Sequence, residues 1–209
     1  KKLYLDLIVI LETHGHADHI TGAFTLRKKN GAPIYYGSQS GVRGDDFILN
    51  DGDCIQVGQF ESKTIHTPGH TKGWVSYYTC GMLFTGDTLF SLGCGRIFEG
   101  TFEQMFKSLE KIKNLPKNTM MYCGHEYTKK NGEFAISIDD QNNVLKEKIK
   151  NIASKIGQGL PSIPVSLKEE LDTTIFLRCE NEKIKSKLQM HNASKLEVFT
   201  KLRNLKDQF

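Results

Sequence analysis

The chain has 209 residues, 38% hydrophobic and 25% charged, enough for one large domain or two small ones with a buried core. No apolar run approaches the ~18 residues of a membrane helix. The 28 basic and 24 acidic residues (net charge +4) form no like-charge block, which argues against a nucleic-acid tail or a membrane patch and for a small anionic substrate.

Leu7 to Thr13 is a continuous apolar run, read as a buried strand. Helical spacing of Ile20, Ala23, Phe24 and Leu26 predicts a helix from Asp18 to the stop at Gly31. Strands are then predicted at 34–36, 47–49, 54–57, 60–66, 74–79 and 82–85, punctuated by turns such as Asn50-Asp51-Gly52-Asp53 and Cys80-Gly81. Thr101 and Gln104 form a capping-box signature ahead of Met105, Phe106, Leu109 and Ile112. A strand at 119–123 follows, then helices near 140–156, 166–172, 181–190 and 195–206, two of them opened by the capping boxes Ser166/Glu169 and Ser194/Glu197. An α/β part followed by a helical part is the economical organisation.

Cys54, Cys80, Cys94, Cys123 and Cys179 are odd in number and contain no C-x-x-C, which argues against a disulfide framework or a cysteine zinc site. A reducing compartment, the cytoplasm, is expected. The chain opens on Lys1 with no signal-peptide pattern, and a natural start upstream of it is expected.

Chemistry-bearing residues gather in loops that follow apolar strands. They are Thr13-His14-Gly15-His16-Ala17-Asp18-His19, Thr67-Pro68-Gly69-His70, Thr85-Gly86-Asp87 and Gly124-His125. Imidazole and carboxylate suit Zn(II), Fe(II) or Mn(II). His14 and His16, two apart, can aim at one point, and Asp18 and His19 at a second point nearby. His70 would complete the first site, His125 the second, and Asp87 would bridge. Two ions ~3.5–4 Å apart share a hydroxide that is nucleophilic at neutral pH. His66 is expected to pack at a strand end and His191 on a helix surface.

These motifs resemble the metallo-β-lactamase superfamily and, within it, the glyoxalase II or hydroxyacylglutathione hydrolase family. Leu83 to Thr101 (L-F-T-G-D-T-L-F-S-L-G-C-G-R-I-F-E-G-T), Cys123 to Thr128 (C-G-H-E-Y-T) and the closing Lys206 to Phe209 (K-D-Q-F) carry the resemblance. It implies an αββα sandwich at 1–126 followed by a smaller all-helical glutathione-binding domain at 127–209. It implies two divalent ions, zinc first and iron or manganese as alternatives, on His14, His16 and His70 and on Asp18, His19 and His125. Asp87 bridges them, and Asp18 and Asp87 are the expected catalytic residues. It also implies substrate contacts at Arg96, Phe98, Tyr127, Arg203 and Lys206, hydrolysis of S-D-lactoylglutathione, and a monomer acting on a small molecule without nucleic acid or membrane. A thiolate leaving group, with a conjugate-acid pKa near ~8.5, departs without a strong general acid, so a thioester suits this site better than an amide.

Two departures stand out. The family usually has an aromatic hydroxyl where this chain has Phe98. Family members also carry strands ahead of the T-H-x-H-x-D-H segment, whereas thirteen residues precede His14 here, so either a truncated start or an exposed sheet edge is expected. The rivals are a mononuclear-iron persulfide dioxygenase of the same superfamily, towards which His16 to Gly22 leans, a nuclease or β-lactamase, and a metal-binding protein without turnover.

Overall fold

The computed structural model describes residues 5–38 and 47–209. Two sheets face each other. The smaller is ordered β1 (Ile10–Leu11), β2 (Ile34–Gly37), β3 (Phe47–Leu49), all parallel. The larger is ordered β11 (Val165–Ser166), β10 (Met120–Cys123), β7 (Met82–Gly86), β6 (Val75–Thr79), β5 (Phe60–His66), β4 (Cys54–Val57). The tight turns at 58–59 and 80–81 fold β4 onto β5 and β6 onto β7, and the longer connection at 67–74 joins β5 to β6 in an antiparallel β4–β5–β6–β7 meander.

The larger sheet reads differently on its two faces. Leu83 and Met121 pack beneath α3 (Phe102–Lys113), whose Met105, Leu109 and Ile112 lie one turn apart on its buried face. Thr101 caps α3 with the reciprocal bonds of a capping box. Towards the smaller sheet, Ile55, Val75 and Tyr77 meet Leu11, Tyr35 and Leu49. Further along, this inter-sheet space opens into an apolar cavity of about 590 Å3 beside Val9, Leu11, Phe60, Met82, Phe84 and Tyr122.

The predicted first strand is shorter than expected. Only Ile10 and Leu11 pair, with β2 on one side, and Leu7 and Ile8 are exposed. β1 is the sheet edge among the described residues, so no described strand pairs with its second side. The predicted helix breaks at Thr21-Gly22 into α1 (Ala17–Ile20) and α2 (Ala23–Asn30). Gly31 ends α2 in the left-handed region, φ 72°. Only Ala23 of α2 is buried, against Ile34 and Tyr36, so Phe24 and Leu26 remain exposed.

The C-terminal part holds α4 (Thr128–Ile138), α5 (Asn143–Gly157), α6 (Leu167–Thr173), α7 (Glu182–Lys187) and α8 (Lys195–Gln208). Helix α4 was not predicted, because Gly132 and Asn131 interrupt any apolar stripe. Both are buried, as are Thr128, Phe134 and Ala135, and a Cβ at Gly132 would stand 3.1 Å from Ile149 and 3.3 Å from Leu92. Close packing thus overrides weak propensity. Strand β11 extends the large sheet from within this helical part. Phe134, Leu145, Phe176, Phe199 and Leu202 share one core with Leu83, Met105 and Met121. No helix of the described residues is long and apolar enough to cross a membrane.

Candidate metal centre

Strands β5, β7 and β10 run in one direction, since β5 and β7 are each antiparallel to β6 and β10 is parallel to β7. Their C-terminal ends therefore share one sheet edge. His70 follows β5, Asp87 follows β7 and His125 follows β10. From the smaller sheet, β1 delivers His14 and His16, and the turn into α1 delivers Asp18 and His19.

Three groups of potential ligand atoms result, His14/His16/His70, His14/His19/Asp87 and Asp18/His19/His125, each with all atoms within 4.8 Å of one another. His16 Nδ1 lies 3.2 Å from His70 Nε2. His125 Nε2 lies 3.3 Å from His19 Nε2 and 3.2 Å from Asp18 Oδ2. Asp87 stands between the groups, with Oδ1 3.5 Å from His19 Nε2 and Oδ2 3.9 Å from His70 Nε2 and 3.3 Å from His125 Nε2.

The donor set fits a divalent cation. His14 Nε2 and Asp87 Oδ1 are buried with no hydrogen-bond partner among the described residues, an expensive arrangement unless a cation takes the lone pairs. His70 donates its Nδ1–H to the Arg96 carbonyl at 2.7 Å, which leaves Nε2 unprotonated and aimed at the cluster. Burial, then the neighbouring His19 and His16, lowers the His14 pKa to about 2. His70 is lowered too, chiefly by burial. The nearby Asp87 carboxylate raises the pKa of His19.

Beneath the cluster lies Trp74, fully buried. Its ring stacks on His14 with centroids 3.6 Å apart, and its Nε1–H donates to the Thr85 carbonyl at 3.1 Å. Above the cluster a cleft of about 460 Å3 is walled by Phe90, Phe98 and Tyr127 and carries Arg96, Lys130, Arg203 and Lys206.

The chain's relatives agree with this geometry. Residues 5–125 match the profile of the metallo-beta-lactamase superfamily, and residues 126–209 that of the hydroxyacylglutathione hydrolase C-terminus. The hydroxyacylglutathione hydrolase of Pelagibacter ubique is 46% identical over 209 residues, spanning 98% of this chain and 82% of its own. That of a Chelativorans species is 43% identical over 205 residues, spanning 96% and 80%. The chain belongs to the hydroxyacylglutathione hydrolase family. Among solved structures, ETHE1 from Myxococcus xanthus superposes with a TM-score of 0.64 at 26% identity, over 96% of this chain and 76% of that one.

In this member of the hydroxyacylglutathione hydrolase family, all seven expected metal-ligand residues converge. The five expected substrate contacts also line one cleft, except that Arg96 and Arg203 are already engaged. Arg203 is buried, 3% exposed, and donates to the Cys94 carbonyl at 2.7 Å and to Asp207 at 2.9 Å. Arg96 is exposed and pairs with the same Asp207 carboxylate at 3.2 Å. Lys206 donates to the Lys130 carbonyl at 3.1 Å and lies over the Phe134 and Phe209 rings. Burial, then Arg203, lowers its pKa. Phe98 packs edge-on against His16 and His70, and Tyr127 stacks on His125.

Glu126, adjacent to His125, accepts from the Ser162 N–H and hydroxyl and is no acid for the cleft. His66 ends β5 outside the cluster, and His191 is exposed in a turn rather than on a helix. Trp74 and Lys130 were not anticipated. Trp74 follows His70 by four residues, but no spacing rule places it under His14.

Proposed function

We propose that this protein hydrolyses S-(2-hydroxyacyl)glutathione thioesters, S-D-lactoylglutathione first among them, as a cytoplasmic monomer. Two divalent ions, zinc foremost, would be held by His14, His16 and His70 and by Asp18, His19 and His125, with Asp87 shared. The observation that carries this reading is the Asp87 carboxylate, buried between the two groups, with Oδ2 3.9 Å from His70 Nε2 of the first and 3.3 Å from His125 Nε2 of the second, and Oδ1 3.5 Å from His19 Nε2. The names of the relatives supply the substrate class.

Ions bound there supply Lewis acidity to the thioester carbonyl and acidify water to a nucleophile at neutral pH. The chain's own residues do the rest. Asp18 and Asp87 contribute the negative charge that makes the cluster selective for cations. The Arg96 carbonyl holds His70 in its ligating tautomer. Lys130, Lys206 and the Arg96–Asp207–Arg203 group surround the cleft with positive charge, suited to a tripeptide bearing two carboxylates. Phe90, Phe98 and Tyr127 give the acyl group an apolar wall, and a thiolate departs without a proton donor.

The test is loss of thioester absorbance with S-D-lactoylglutathione, with metals quantified in the same sample. Turnover with close to two metals per chain is expected, and Asp87→Ala should lose both turnover and most of the metal. One iron per chain with oxygen uptake on glutathione persulfide would transfer the assignment to a dioxygenase.

A further inference from the structure

A two-residue turn, Ser91-Leu92, joins β8 (Leu89–Phe90) to β9 (Gly93–Cys94). The base of this hairpin touches the metal centre at two points. Asp87 lies two residues before β8, and the Arg96 carbonyl, two residues after β9, holds the His70 ring. The two arms of the base are in direct contact, and the Gly95 N–H donates to the Thr88 carbonyl at 3.2 Å.

The tip of the hairpin is held from the helical part. Glu170 on α6 is fully buried. One of its oxygens accepts from the Ser91 hydroxyl at 2.9 Å and from Lys148 Nζ, on α5, at 2.6 Å. The other accepts from the Leu92 N–H at 2.9 Å and from the Thr174 hydroxyl. Asn131 on α4 donates to the Ser91 carbonyl at 3.2 Å. Leu92 sits at φ 61°, a conformation that a leucine holds only when its surroundings over-determine it. A buried carboxylate with four donors, one of them a buried lysine that serves as counter-ion, does this.

We propose that Glu170, with Lys148 as its counter-ion, is a positioning residue for the metal centre. It ties α5 and α6 to the β8–β9 tip and thereby sets the base that carries Asp87 and orients His70. The assignment rests on the metal-centre reading above. The geometry explains why a fully buried charge pair persists where apolar residues would serve stability equally well.

The test compares wild type with Glu170→Leu combined with Lys148→Met, and with Ser91→Ala. The double variant removes both charges, so no lone ion is left buried, but it also removes the acceptor for Ser91 and Leu92. Metal affinity is measured by chelator competition on purified protein, alongside kcat, KM and Tm. The expected result is a metal affinity lowered about tenfold and a kcat lowered about 10- to 100-fold, as small misplacements of reacting groups produce. KM should change less than kcat, at temperatures well below the Tm of the variant. Ser91→Ala, which deletes one of the four bonds, should show the same changes at smaller size, and it decides the matter if the double variant does not fold. Lowered Tm with wild-type metal affinity and kcat would make Glu170 a purely structural residue and overturn the proposal. Wild-type protein that takes up no metal would overturn the metal-centre reading itself, a failure the wild-type control separates from the first.

Discussion

Trp74 is the chain's single tryptophan, and it lies under the metal centre, so replacing it by phenylalanine separates packing from ligation. Trp74→Phe keeps an aromatic face for His14 but deletes the Nε1–H bond to Thr85, worth about 1 kcal/mol. It also deletes three buried ring atoms, worth about 2 kcal/mol with the gap they leave. That gap lies beside Gly86, where a Cβ would stand 2.6 Å from Trp74 Cζ2, and the Gly86 backbone there resists collapse. A loss of about 3 kcal/mol in a chain of this size lowers Tm by about 6–12 °C. Metal stoichiometry should not change, because no ligand atom is removed. Thermal unfolding followed by circular dichroism measures the first, and metal analysis after dialysis the second. In the wild type, indole fluorescence should respond directly to metal titration, since the ring centroid is 3.6 Å from that of His14. A Tm within 2 °C of wild type, or loss of metal from Trp74→Phe, would refute the reasoning.

Lys206→Ala should raise KM for a glutathione thioester about 10- to 100-fold, the worth of one charge-assisted bond, with a smaller change in kcat. An unchanged KM removes Lys206 from the substrate site. Arg203→Ala is the poorer probe, because it also abandons the buried Cys94 carbonyl and should lower Tm as well as activity. Gly95→Ala would place a Cβ 2.0 Å from the Asp87 carbonyl oxygen and 3.1 Å from His70 Nδ1; it should cost about 1–3 kcal/mol and weaken metal uptake, and wild-type uptake would contradict the packing. Asp51, although burial raises its pKa, is held below its usual 3.8 by the His66 N–H and Lys111. A depressed carboxylate stabilises above its unfolded pKa and loses that contribution as pH falls through the folded one. The Tm gap between wild type and Asp51→Asn should therefore be full at neutral pH and shrink on acidification, and a gap that widens would show the sign to be wrong.

What could be read from the chain alone was whatever neighbouring residues decide among themselves. The capping boxes at Thr101/Gln104, Ser166/Glu169 and Ser194/Glu197 all form, because three-residue spacing suffices to satisfy free backbone donors. The strands at 54–57, 60–66 and 82–85 were legible because glycine turns and apolar alternation are local. His14-x-His16-x-Asp18-His19 was legible because cation binding demands particular donor types at short spacing. Contacts between distant segments set everything else. Helix α4 exists because Asn131 and Gly132 fit against Ser91, Leu92 and Ile149. Leu7, Ile8, Phe24 and Leu26 are apolar yet exposed, since hydrophobicity says a residue gains by burial but not that a partner is present to bury it. Arg203 is expected at the substrate from its motif, and only the fold brings the Cys94 carbonyl, 109 residues away, to take one of its donors. Residue types named the chemistry; only tertiary packing determined which side chains face the metals, which face the cleft, and which hold the hairpin between them.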